Sequence, residues 1–179
     1  FPTRRSSDLF ASERTFKLGD LGRAWVQGMP APHDGFSFAG DAGYAPFELM
    51  LGMPVDEQTK RFGYDMYLLG SLIVFFFARA TINALIIEHL DKSFQPAIAT
   101  PNYGDLLPYL QDAFGKAVME FGAHAPDQIR DQLTTMVKQL CDPDPSKRGH
   151  PLSRTANRFS LERYISGLNL LAYRAETQL

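Results

Sequence analysis

The run LLGSLIVFFFARATINALII, residues 68–87, constrains the fold more than any other part of the sequence. Its dense apolar portion covers about ten residues, roughly half of what a helix needs to cross a bilayer. Arg79, Thr81 and Asn83 then interrupt it, and a charge near the middle of a span is costly. The run is therefore expected to form a buried helix, apolar on all sides, inside a soluble domain, with no membrane insertion. A chain of 179 residues can enclose such a helix as one domain or as part of a larger one.

Charge and cysteine content narrow the partners. A net charge of −2 and a pI near 6.1 give no bulk attraction to nucleic acid or to anionic lipid, so no nucleic-acid partner is expected. Cys141 is the single cysteine, which excludes an internal disulfide and a cysteine-based zinc site and points to a reducing, cytoplasmic setting. His33, His89, His124 and His150 are scattered without metal-ligand spacing.

Along the chain, residues 1–9, FPTRRSSDL, have neither the apolar core nor the cleavage pattern of a signal peptide. They match the in-frame translation of the end of a widely used short-read sequencing adapter. They are treated as an artefact, with Phe10 the first natural residue and the natural protein extending upstream. Residues 15–19, TFKLG, alternate weakly and suggest a short strand. Residues 23–43 are rich in Gly, Pro, Ala and Asp without period, a long loop that is either functional or unstructured.

Five helical stretches and a turn follow. APFELMLG reads as a short helix stopped by Gly52 and Pro54, and the apolar run as a central helix continued by a further turn. Leu106, Leu107, Leu110, Phe114, Val118 and Phe121 recur at three- and four-residue spacings and predict an amphipathic helix, whose start is left open by Pro108. Ile129, Leu133, Met136, Val137 and Leu140 predict another, with Pro126 and Asp127 as its start signals. DPDPSKRGHP is a turn cluster, and Ser160 caps a last helix. The expected fold is mainly α, with a short β element at its natural start.

Four short motifs stand in order: Asp20-Leu21-Gly22 between glycines, GDAGYAPFE at residues 40–48, DMYLLG at 65–70, and DPSKR at 144–148. Each is weak alone. Their order and spacing resemble the C-terminal lobe of eukaryotic-type protein kinases. There an Asp-Phe-Gly turn opens the activation segment, an Ala-Pro-Glu stretch closes it, and Asp-x-Trp/Tyr-Ser-x-Gly starts the central helix. Asp-Pro-x-x-Arg precedes the last helix. The resemblance covers nearly everything after Leu9 and implies a partial kinase domain over residues 10–179, a truncated helical C-lobe lacking the N-lobe and the catalytic loop.

The resemblance implies roles residue by residue. Asp20 is the Mg²⁺ ligand that helps to hold ATP, its plain alternative being a turn aspartate that caps its own backbone. Leu21 and Gly22 complete the turn, Leu21 keeping an apolar plug where the family has Phe. Glu48 and Arg148 form an ion pair that anchors the activation segment, and Asp65 accepts backbone hydrogen bonds from the catalytic loop. Tyr44 is structural, and Ser37 is the single candidate for activating phosphorylation, its alternative being an ordinary loop serine. Asp41 stands where the family has Thr, which leaves substrate preference and activity open.

The parent is then expected to transfer the ATP γ-phosphoryl group to protein Ser/Thr, with the missing N-lobe and a protein substrate as partners. The 179-residue chain itself is expected to be inactive and to bind ATP and Mg²⁺ poorly. A pseudokinase-type scaffold without catalysis is the alternative, which Asp41 and Leu21 favour. A free-standing helical bundle with chance motifs is a third reading.

Overall fold

The computed structural model describes residues 25–26, 28–30, 41, 43–92, 94 and 102–177. The expected strand at 15–19, the turn of Asp20, Leu21 and Gly22, and Ser37 lie outside the described residues. The chain divides into two compact units, residues 1–39 and 40–179. In the first, the Trp25 indole donates to Met29 O at 2.7 Å.

The second unit is helical, with no strand among the described residues. Its helices are α1 (Phe47–Met50), α2 (Tyr64–Ala78), α3 (Ile82–His89), α4 (Tyr103–His124), α5 (Arg130–Leu140), α6 (Arg154–Asn157) and α7 (Glu162–Thr177). The short α1 follows Pro46 and ends where Gly52 takes a φ of 65°, a conformation that glycine adopts without cost. Asp56 then starts the next helix by accepting Thr59 N and Thr59 Oγ1, both at 2.8 Å. A π-turn, Thr59–Gly63, leads directly into α2. Arg158 Nη2 donates to Thr59 Oγ1 at 2.7 Å and ties the loop after α6 to this start.

The three polar residues that interrupt the apolar run each do something specific. Arg79 ends α2 in the left-handed conformation at φ 59°, and Thr81 Oγ1 accepts Ala84 N at 3.1 Å to cap α3. Asn83 is buried. The run is thus two helices, as expected, yet α2 is not buried on all sides. Met66, Tyr67, Ile73 and Val74 are buried, whereas Leu68, Leu72, Phe75 and Phe76 are exposed, Phe76 at 66 %. These positions recur at three- and four-residue spacing, so they form one stripe on the side of α2 that the packing of the second unit leaves open.

Thr59–Ala78 is 20 residues long with a mean hydropathy of 1.3, long and apolar enough to cross a membrane by length and composition alone. Core helices pass the same test, and α2 packs through its other face on α3, α4 and α5. Gly70 permits the closest approach: a Cβ there would lie 2.3 Å from Cys141 Sγ and 2.8 Å from Leu140 Cβ.

Helix α4 starts at Tyr103, with Asn102 Oδ1 accepting Gly104 N at 3.1 Å, so Pro108 lies inside the helix and not in its first turn. Leu106, Leu110, Phe114, Val118 and Phe121 form its buried face, with Leu107 half-buried. Helix α5 begins at Arg130, later than Pro126 and Asp127 suggest: residues 127–129 form a turn in which Ile129 N bonds to Pro126 O at 3.1 Å, and Asp127 pairs with the Arg130 guanidinium. Ser160 Oγ accepts Glu162 N at 3.4 Å at the start of α7.

Candidate functional site

The region that brings two of the described candidate residues, Glu48 and Arg148, together is built where α1, α2 and the turn after α5 meet. Pro46 starts α1 and turns Glu48 inward, while Asp144 shapes the later turn by accepting Ser146 N at 3.0 Å and Ser146 Oγ at 2.6 Å. Burial pushes the Asp144 carboxyl up, but the Ser146 hydroxyl and amide outweigh it and hold the group below its usual range. Gly149 adopts a φ of 101° and donates its N–H to Gln139 O at 2.9 Å, returning the chain to the end of α5. Arg148 is thereby aimed into the interior.

Glu48 and Arg148, 100 residues apart, meet there with no side-chain exposure on either. The pair is bidentate: Arg148 Nη1 donates to Glu48 Oε1, and Nη2 to Oε2 at 2.8 Å. Arg148 Nε donates to Asp142 O at 2.9 Å, and the guanidinium carbon lies 4.7 Å from the centre of the Tyr67 ring. Burial opposes the arginine charge, but the Glu48 carboxylate more than offsets it and holds the guanidinium above its ordinary value.

The surrounding groups are protonated by burial. Tyr67, Tyr103 and the Cys141 thiol are all pushed well up, and burial together with the Glu48 charge pushes Tyr64 up to about 12. Burial also raises Asp142. Three of these donors have recipients: Cys141 Sγ donates to Tyr67 O at 3.4 Å, Tyr103 OH to Pro143 O, and Tyr67 OH to Asn83 Oδ1 at 2.6 Å. Such an arrangement clamps backbone segments together and supplies no nucleophile or base, since its tyrosines and thiol are neutral and enclosed.

The remaining candidates lie nearer the surface. Asp41 is exposed, its carboxylate accepting Gly43 N at 2.8 Å and its carbonyl Tyr44 N at 3.1 Å, so it shapes a turn. Tyr44 is half-buried. Asp65 is on α2, keeps open surface, and makes no hydrogen bond or ion pair to the described residues; nearby protein displaces its water and raises its carboxyl. Among the described residues no group of three His, Cys, Asp or Glu side chains gathers as a metal site. Asp20, the expected Mg²⁺ ligand, lies outside those residues. A separate open groove at the far end of α4 is lined by Val118, Met119, Gly122 and Ala123 with Arg130, Asp131, Thr134 and Lys138.

Sequence reasoning misses Asn83, which in the sequence is only a polar interruption of an apolar run, and Tyr67, whose hydroxyl and ring join two partners at once. A single amide within an apolar stretch is the signal that marks Asn83, because a buried amide needs partners. No protein-family model matches the chain, and neither a known protein nor a solved structure matches it.

Proposed function

We propose that this chain is the activation segment and helical C-lobe of a eukaryotic-type protein kinase, whose parent transfers the ATP γ-phosphoryl group to protein Ser/Thr in the cytoplasm. The observation that carries the reading is the enclosed Glu48–Arg148 pair. Those are the two positions that the family resemblance pairs, and a chance match of short motifs does not require them to meet. Tyr67, from the motif at 65–70, stacks on the same arginine, so three of the four motifs converge at one place.

In this reading Asp20 would hold Mg²⁺, which would supply charge neutralisation at the phosphates of ATP. The 179 residues contain no His-Arg-Asp loop, so transfer is assigned to a longer parent and not to this chain. The exposed stripe of α2 fits a lobe that packs against further protein. A pseudokinase-type scaffold is favoured by one observation: the Asp41 carboxylate, at the family's Thr position, is engaged with Gly43 N.

The test is phosphoryl transfer from labelled ATP by the parent in the presence of Mg²⁺. Transfer that disappears in Asp20→Ala supports the kinase reading, and transfer retained in that variant refutes the metal role. A parent without any transfer that still binds a protein partner supports the scaffold.

A further inference from the structure

We propose that Asn83 is a positioning residue, through which α3 fixes the segment from Tyr44 to Glu48. Its side chain is buried, with the residue 3 % exposed, and each end of the amide is engaged with a different element. Nδ2 donates to Ala45 O at 2.7 Å, and Oδ1 accepts the Tyr67 hydroxyl at 2.6 Å. Among the described residues the segment is held at Glu48 by the arginine pair and at Asp41 by exposed turn bonds. Between them, the Ala45 carbonyl is the buried polar tie, and Asn83 supplies its donor.

Helix α3 is itself tied to its neighbours at both ends. Ile82 N donates to Ser71 Oγ on α2 at 3.4 Å, and His89 Nε2 lies 2.6 Å from Glu120 Oε2 on α4. A shift of α3 therefore moves Ala45 or breaks its bond. The inference deepens the proposed function and rests on it in one respect, that this segment, which carries Asp41, bears on substrate preference as the kinase resemblance implies. The positional statement stands without that.

Amide hydrogen exchange on the full 179-residue chain tests it. Leu49 N, Met50 N and Leu51 N bond to Pro46 O, Pro46 O and Phe47 O, so they report on the segment. Asn83→Leu keeps the approximate volume and removes both bonds. Exchange at those amides should rise on the order of tenfold, the factor expected for losing one or two buried hydrogen bonds, while α5 keeps its protection. Tyr67→Phe removes one bond and should give a smaller local rise, which keeps the test available if Asn83→Leu fails to fold. Unchanged exchange at 49–51 overturns the proposal, as does an equal rise across α5, which reduces Asn83 to general stability. In a parent that transfers phosphate, Asn83→Leu should raise KM for the peptide and leave KM for ATP unchanged. Transfer with unaltered exchange overturns this inference and spares the proposed function, and altered exchange in a parent without transfer does the reverse.

Discussion

An arginine enclosed with its carboxylate is expensive to assemble and more expensive to break, because removing one partner leaves a bare charge. Glu48→Gln and Arg148→Met should each cost about 3–5 kcal/mol in urea unfolding, and the double variant Glu48→Gln/Arg148→Met less than their sum. Additive losses would mean that the two side chains do not interact. Asp65 has the opposite character. Its side chain keeps open surface, yet nearby protein displaces part of its water and raises the carboxyl, so it binds its proton more readily folded than unfolded and stability falls modestly as pH rises from the ordinary value of 3.8 through the raised one. Asp65→Asn should therefore raise Tm at pH 7 and have no such benefit near pH 3. Helix-dipole stabilisation does not offset this, since the π-turn before α2 makes Asp65 interior to a continuous helix. Asp56, lowered first by its bond from Thr59 N, runs the other way: its contribution is present above 3.8 and is lost as pH falls through the lower folded value.

At the scale of elements, periodicity made the amphipathic helices legible, because α4 and α5 each bury one face and expose the other. Leu110, Phe114 and Val137 are core residues for that reason. Boundaries were less legible. The start of α4 is set by the Asn102 cap, a local signal that outweighs the exposed Pro108, and α5 starts only after the turn at residues 127–129, in which Ile129 N bonds to Pro126 O. Pro108 removes a backbone donor inside α4, so Pro108→Ala should raise stability by about 1–3 kcal/mol in thermal or urea unfolding. No gain would mean that the helix is already relaxed around the ring. The meeting of Asn83 with Ala45 and Tyr67 was not legible, because it joins residues 38 and 16 positions away and depends on how α3 folds back. The expected metal turn at Asp20 lies outside the described residues, so that half of the candidate site rests on the sequence alone.

For the second unit as a whole, the informative departure is the apolar stripe of α2. Leu68, Leu72, Phe75 and Phe76 form an exposed patch on α2, in a unit whose α7 also exposes Ile165, Leu170 and Tyr173, and exposed apolar stripes bind dyes and promote association. Leu72→Glu with Phe76→Glu should lower dye binding and aggregation while leaving far-ultraviolet helicity unchanged; a loss of helicity would place those side chains in the core. The central claim, that this lobe belongs to a protein kinase, is tested most directly by sequencing the source DNA upstream of the codon for Phe10, with primers outside the adapter-like stretch. The account predicts an in-frame His-Arg-Asp loop, its following Asn, and a lobe carrying the glycine-rich loop and lysine. An upstream frame with no such loop and lobe would contradict it.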